Sequence, residues 1–261
     1  MSLRYLNVSH LSQRKVPSLL PVASDIDFNI GESIVYFDFD NTITTFDVLD
    51  GIIEQFSINR DWVAYENAWR AGHIGSKECL EGQLRSIRGT RKTLREYLST
   101  ISLDIHFKRL LALLRSKGIN PIIVSDSFSF FIEYILRING VKGLKVYANR
   151  IRFYGDRLIP SFPYTNSLCS HCAHCKTNNL SDDNGDREKK IIYIGDGLSD
   201  VCPAQHAHLV FAKSTLLDHF SKTQRHCLPF KDLGDVYNYF KEYGNGSETE
   251  ALQRTVKVSG K

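Results

Sequence analysis

Two aspartates one residue apart close a run of residues built for burial. Ser33-Ile34-Val35-Tyr36-Phe37 is apolar, β-branched and aromatic, and it leads into Asp38-Phe39-Asp40-Asn41-Thr42. That composition suits a strand covered on both faces, and in open α/β sheets ligands bind outside the carboxyl ends of the strands. Neighbouring carboxylates repel unless a cation holds them, so the pair points to a hard metal ion with oxygen ligands. Asp and Asn at a strand end also make turn hydrogen bonds with no further role. On these residues alone both readings of Asp38 and Asp40 stand.

Two more apolar runs end in the same manner. Pro121-Ile122-Ile123-Val124 passes into Ser125-Asp126-Ser127, and Ile191-Ile192-Tyr193-Ile194 passes into Gly195-Asp196-Gly197-Leu198-Ser199-Asp200. Taken singly, Ser125 reads as a strand-end cap and Asp200 as the N-cap of a following helix. Their interest lies in what must position them. Apolar runs alternating with helical patterns predict a doubly wound, mostly parallel sheet, in which these strand ends share one rim. Asp38, Asp40, Ser125, Asp196 and Asp200 then converge on one crevice.

The remaining pattern fills in around that sheet. From Phe46 to about Ile101 the spacing is helical, with Val48, Leu49, Ile52, Ile53 and Phe56 on one stripe and Trp62, Tyr65 and Trp69 on another. Ser76 reads as the N-cap of a third helix, and Arg91 opens a fourth. This is too long for one crossover helix, so residues 46–102 read as an inserted helical cap. The core is then residues 31–45 and 103–243, with helices over 104–117, 128–138, 215–220 and 233–243. Further strands fall over 144–153, 157–159 and 208–212, with an edge strand near 226–230. Residues 181–190 read as a charged linker or helix end. Residues 1–30 read as an N-terminal extension with an edge strand at 24–30, and residues 244–261 as a disordered tail.

Composition sets limits. A formal charge of +4 gives no case for bulk nucleic-acid binding. No apolar run approaches the roughly 20 residues that span a bilayer, and Met1 to Lys15 lacks a signal-peptide core, so the expected location is cytoplasmic. Three of the six cysteines crowd into Cys169-Ser170-His171-Cys172-Ala173-His174-Cys175, unlike a secreted disulfide framework. The ligand types Cys169, Cys172, Cys175, His171 and His174 suit Zn²⁺, but tetrahedral sites normally draw on two separated pairs and no second pair is evident. The alternative is a loop of reduced thiols. Cys202 and Cys227 read as small buried apolar residues.

Taken together, Asp38-Phe39-Asp40-Asn41-Thr42, Ser125 and Gly195-Asp196-Gly197-Leu198-Ser199-Asp200 resemble the signatures of the haloacid dehalogenase superfamily of phosphohydrolases. The resemblance covers roughly Ser33 to Tyr243. It adds a lysine upstream of the last signature, for which Lys176 has the best position, because Lys189 and Lys190 abut the strand. The helical insert resembles that of phosphoserine-phosphatase-type members. The stretches Cys172-Ala173-His174-Cys175-Lys176 and Gly195 to Ala204 are similar to those of two phosphatase types, one acting on 2-hydroxy-3-keto-5-methylthiopentenyl-1-phosphate and one on phosphocholine and phosphoethanolamine. The resemblance implies a Mg²⁺-dependent phosphomonoesterase. Asp38 would be the nucleophile and Asp40 the general acid-base. Mg²⁺ would be held by Asp38, the backbone carbonyl of Asp40 and Asp196. Ser125 and Lys176 would bind phosphoryl oxygens, Asp200 would orient Lys176 or a metal-bound water, and Thr42 would support the site.

The substrate is less legible. Where phosphoserine phosphatases carry a Glu that reads the substrate amine, this chain has Asp47, which also suits the N-cap of the helix from Val48. Glu78 and Arg85 are further candidates for the insert's contribution, against a solvated helix face. Trp62 and Trp69 read as apolar packing of the insert more readily than as an aromatic cage. Phosphotransfer to another acceptor, or a non-catalytic phosphate-binding module, are the competing functions. The oligomeric state is not legible.

Overall fold

A computed structural model describes residues 30–167, 169, 171–184 and 189–243. The expected N-terminal extension with its edge strand, and the expected tail, lie outside the described residues except for the 3₁₀ turn Ile30–Glu32. The strands are β1 (Ser33–Phe37), β2 (Ile122–Phe128), β3 (Lys145–Tyr154), β4 (Arg157–Ser161), β5 (Lys190–Gly195), β6 (Leu209–Ala212) and β7 (Leu228–Pro229). They form one sheet in the order β4-β3-β2-β1-β5-β6-β7. β3 and β4 pair antiparallel, and the other pairs are parallel. β1 lies in the middle, so its carboxyl end is flanked by those of β2 and β5. A crevice is expected at such a point.

Alternation along β1 builds both layers. Val35 and Phe37 face one cluster and Tyr36 the other, as the two-residue period of a strand requires. The first face is covered by α5 (Phe107–Ser116), α6 (Ser129–Ile138) and α10 (Leu233–Tyr243), with Phe37 edge-on to Phe107 at 6.0 Å. The second is covered by α7 (Lys176–Asn184), α8 (Val201–Ala204) and α9 (Ser214–Lys222) through Leu180, Val201, Ala204, Leu216 and Phe220.

Four helices lie between β1 and α5: α1 (Val48–Phe56), α2 (Trp62–Arg70), α3 (Ser76–Ser86) and α4 (Arg91–Leu98). The chain leaves the core and returns at neighbouring points, because Thr44 bridges Leu103 and the Asp104 amide donates to the Ile43 carbonyl at 2.8 Å. Val48, Leu49, Ile52, Leu80, Leu84 and Leu94 belong to the same apolar cluster as Val35 and Phe37. The insert thus shares its core with the sheet.

Two local expectations are refined. Residues 181–184 are the end of α7, the helix-end reading of that stretch, and the helix itself starts at Lys176. This helix buries only Lys176, Asn179 and Leu180, which leaves almost no apolar period to read. β2 runs on to Phe128 through a register shift after Val124, which re-aims the side chains at its carboxyl end.

Asp104 ties α5 to α10. Its buried carboxylate accepts from the His106 amide at 2.8 Å and the Leu233 amide at 3.1 Å. Asp104→Ala strands a buried N–H and should destabilise the fold by about 1–3 kcal/mol. The check is a lower urea midpoint at unchanged slope.

Candidate active site

The first strand end is shaped by a tight turn. The amides of Thr42, Ile43 and Thr44 all point at the Phe39 carbonyl, and Asn41 takes a left-handed φ of 54°, a conformation that Asn tolerates. Asp38 and Asp40 therefore leave the strand on separate headings. Asp38 is buried at the sheet's rim, its amide still bonded to the Ile194 carbonyl at 2.9 Å. Asp40 is half-buried, and its Oδ1 accepts from the Val48 amide at 2.8 Å, at the mouth of the insert.

Lys176 joins two strand ends. It is 2 % exposed, and its Nζ donates to Asp38 Oδ1 at 2.7 Å, Asp200 Oδ1 at 2.7 Å and Ser199 Oγ at 3.1 Å. Burial works against the ammonium, but Asp200 and Asp38 outweigh it and hold its pKa well above the usual lysine range. Asp200 is saturated. Oδ1 also accepts from the Tyr193 hydroxyl at 2.6 Å, and Oδ2 accepts from the amides of Asp196 and Gly197 at 3.0 Å each. With its acceptor positions filled, Asp200 positions Lys176 rather than reaching a ligand. It makes no side-chain cap bond to α8.

Among the described residues, Asp38, Asp196 and Asp200 are the group whose carboxylate oxygens all lie within 4.8 Å of one another. Burial first, then the Asp200 charge, push the Asp38 carboxyl well above the usual carboxylate range, with Lys176 pulling the other way. Burial and Asp200 likewise raise Asp196 to about 7. Three carboxylates face two cations, Lys176 and Lys213, which leaves the site short of positive charge. Asp38 Oδ2 and Asp196 Oδ2 accept none of the described hydrogen bonds, while Thr42 Oγ1 donates to Asp196 Oδ1 at 3.4 Å. Hard oxygen donors in a charge-deficient pocket fit Mg²⁺.

A cavity of about 280 Å³ opens above this floor. Asp38, Asp40, Asn41 and Asp196 line it from the core, with Asp126 and Ser127 from the end of β2. Ser125 is fully buried and its oxygen accepts from the Ser127 amide at 3.0 Å, which leaves its own hydroxyl proton to donate. Ser127 Oγ is buried and has no hydrogen-bond partner.

The insert supplies the roof: Asp47, Asp50, Glu66, Trp69, Arg70, Ser76, Cys79, Leu80 and Gln83 line the cavity beside Leu49. Asp47 caps α1, accepting from the Asp50 amide at 2.9 Å, and also lines the cavity. Glu78 and Arg85 are corrected. Both are exposed and neither lines the cavity, because the inward face of α3 is Ser76, Cys79, Leu80 and Gln83, at spacings of three and four residues. Trp69 lines the cavity instead of only packing the insert, whereas Trp62 does pack against the core. The N-cap of α3 is Gly75 rather than Ser76. The Ser76 hydroxyl donates to the His171 carbonyl at 3.0 Å and accepts from the Ala173 amide at 2.7 Å, so it ties the insert to the cysteine-histidine loop.

That loop delivers Lys176. His174 is buried, stacked on Tyr164 at 4.8 Å and paired with Asn179 Oδ1, and burial lowers its pKa to about 4. It stays neutral beside Lys176. Tyr193 is the residue that sequence reading passed over most completely, although a tyrosine inside a buried strand always needs a partner for its hydroxyl.

A profile of the family described as Putative Phosphatase matches residues 33–212, more than half of the chain. The 2-hydroxy-3-keto-5-methylthiopentenyl-1-phosphate phosphatase of Brevibacillus brevis is 26 % identical over 216 residues, 80 % of this chain and 95 % of that one. The phosphoserine phosphatase of T. onnurineus superposes with a TM-score of 0.60 at 18 % identity, over 84 % of this chain and 98 % of its own. A hydrolase of the haloacid dehalogenase family from Salmonella enterica serovar Typhi gives 0.62 at 17 % identity, over 76 % of this chain and 67 % of its own.

The site depends on an absent side chain at Gly195. A Cβ there would lie 2.6 Å from Asp200 Oδ2, whereas one at Gly197 would meet nothing closer than 3.8 Å. Gly195→Ala should therefore displace Asp200 and lower turnover at least about tenfold, as ångström-scale misplacement does, while Gly197→Ala should stay near wild type. Steady-state kinetics of the two variants, with circular dichroism to show both folded, checks the contrast.

Proposed function

The chain belongs to that phosphatase family and to the phosphoserine-phosphatase-like branch of the haloacid dehalogenase superfamily, and from this premise we propose that it hydrolyses phosphomonoesters of small cationic alcohols. The observation that carries the substrate class is the roof. Asp47 and Asp50 face the cavity without a cationic partner among the described ion pairs, and Trp69 offers an aromatic face. Arg70, the cation among the described lining residues, is held by Glu66 at 2.6 Å and acts on the charge of Asp50 without forming an ion pair with it. An ammonium group on the substrate would be drawn to carboxylates and aromatic face alike. A substrate carboxylate, as in phosphoserine, would meet like charge. Leu49 and Leu80 favour a second reading, an uncharged chain such as the methylthio substrate of the bacterial relatives.

In the proposed reaction a carboxylate oxygen of Asp38 attacks phosphorus, and the ester oxygen leaves with the proton of Asp40. Water then releases phosphate from the aspartyl-phosphate, with Asp40 taking its proton back. Burial and the Asp47 charge hold the Asp40 carboxyl well above the usual range, which suits an acid at neutral pH. Lys176 and the hydroxyls of Ser125 and Ser127 balance charge on the phosphoryl oxygens. Mg²⁺, when bound by Asp38, Asp196 and the Asp40 carbonyl, supplies the positive charge that lets an anionic nucleophile approach an anionic ester.

A Mg²⁺-dependent phosphate-release screen tests this reading. Phosphocholine and phosphoethanolamine should exceed phosphoserine and glycerol phosphate in kcat/KM by at least about tenfold, the worth of one ion pair in a desolvated site. Asp50→Asn should narrow that margin, and Asp38→Asn should abolish turnover in a folded protein. Equal or better rates on the uncharged or carboxylate substrates would overturn the substrate class, and retained activity in Asp38→Asn the mechanism.

The pH profile is a separate check. The acid works only while protonated, so kcat/KM for an alkyl phosphate falls as pH rises through the pKa of Asp40. Asp47→Asn removes the neighbouring charge that raises this pKa while keeping a good helix cap. The alkaline limb should therefore move to lower pH with glycerol phosphate as substrate. A limb that stays in place would remove Asp47 from the tuning of Asp40.

A further inference from the structure

Sequence spacing offered three cysteines and no second pair. The fold supplies the missing ligand from elsewhere. Cys175 immediately precedes α7 and Cys202 lies in the first turn of α8, and these helices pack together through Leu180, Val201 and Ala204. The groups that act electrostatically on the Cys172 thiol include Cys169, Cys202 and Cys175, and those acting on Cys202 are Cys169 and Cys175. The α7–α8 packing thus brings Cys202 towards the loop in which the Cys169 and Cys172 sulfurs already approach each other. None forms a disulfide.

We propose that Cys169, Cys172, Cys175 and Cys202 form a four-thiolate Zn²⁺ site that clamps the loop carrying Lys176 to the helix that follows Asp200. The Cys169 and Cys172 sulfurs are 3.5 Å apart. That is far beyond a disulfide bond of about 2.05 Å. It is close to the roughly 3.8 Å edge of a tetrahedron with Zn–S of about 2.3 Å. The sulfurs form a looser cluster than the carboxylates of Asp38, Asp196 and Asp200, so the ion would draw them inward. Backbone bonds already shape the loop: the Cys169 amide donates to the Asn166 carbonyl at 3.0 Å and the Cys175 amide to the Tyr164 carbonyl at 2.8 Å. Asn166 Nδ2 approaches the Cys175 sulfur at 3.8 Å, the kind of outer donor that stabilises a ligating thiolate.

The two histidines of the loop fall outside this set. His171 is exposed and contributes its backbone carbonyl to Ser76, and His174 pairs its Nε2 with Asn179 Oδ1 and stacks its ring on Tyr164. Cys202, read from sequence as a small apolar residue, becomes the fourth ligand. A site closed by four thiolates has no open position for substrate, so its role is structural. Its ligands stand next to both partners of the Lys176–Asp200 contact, Cys175 one residue before Lys176 and Cys202 two residues after Asp200. The ion would secure a contact that the two chain segments otherwise make only through side chains.

The test needs no turnover. Protein purified without chelators or a histidine tag should carry about one zinc per chain, released when a thiol-specific mercurial titrates the cysteines. Co²⁺-substituted protein should show sulfur-to-cobalt charge-transfer bands and the intense visible bands of a tetrahedral thiolate complex. Cys202→Ser should lose the zinc or weaken its binding at least about tenfold against a competing chelator, whereas Cys227→Ser should keep it. Wild-type protein without stoichiometric zinc, with iron and visible absorbance in its place, or with a Cys169–Cys172 disulfide, would overturn the proposal. So would zinc that persists undiminished in Cys202→Ser, because it would then lie at the carboxylates or in the loop alone.

Discussion

The Lys176 ammonium, 2.7 Å from both Asp38 and Asp200 and almost wholly out of water, is the interaction on which the rest of the site depends. An unpaired buried charge of this kind would cost several kcal/mol, so the fold surrounds it with carboxylates drawn from two different strand ends. Each carboxylate then has a defined duty. Asp200 is locked by Tyr193 and two backbone amides, and it fixes where the lysine sits. Asp38 gives one oxygen to the lysine and leaves the other without a partner among the described hydrogen bonds. The deficit of positive charge that remains is what gives the pocket its proposed affinity for a divalent cation and a phosphate ester together.

Above this floor the helical insert roofs the cavity. It shares the apolar cluster of the sheet and touches the lysine loop through Ser76, so roof and floor are mechanically one body. The acids of the roof, Asp47 and Asp50, extend the negative field of the floor upward. Asp47 lies between the two layers. It caps α1, faces the cavity and raises the pKa of Asp40, so the residue proposed to read substrate charge also tunes the proposed proton donor.

Much of the floor was legible in the chain, and the failures were of one kind. Asp38, Asp40 and Asp196 were found because each closes an apolar run, and such runs are local patterns set by strand burial. Asp126 and Ser127 belong to the same polar strand end as Ser125, but the register shift in β2 decides which of the three faces the cavity. On α3 the stripe Ser76, Cys79, Leu80 and Gln83 was readable as a period of three and four. The charged Glu78 and Arg85, weighed against a solvated helix face, lie on the helix's exposed side.

The sequence by itself determined the alternation of strands and helices, the acids at the strand ends and the order of the signatures. These follow from side-chain alternation and turn chemistry within a few residues. Only the tertiary structure decided that Lys176 bonds Asp38 as well as Asp200, that Tyr193 completes the acceptor set of Asp200, and that Trp69 faces the cavity. It also brought Cys202 beside a loop more than two dozen residues away. Each of these depends on which helix packs against which strand end, a choice made by burying apolar surface across the whole sheet and not by any neighbouring residue.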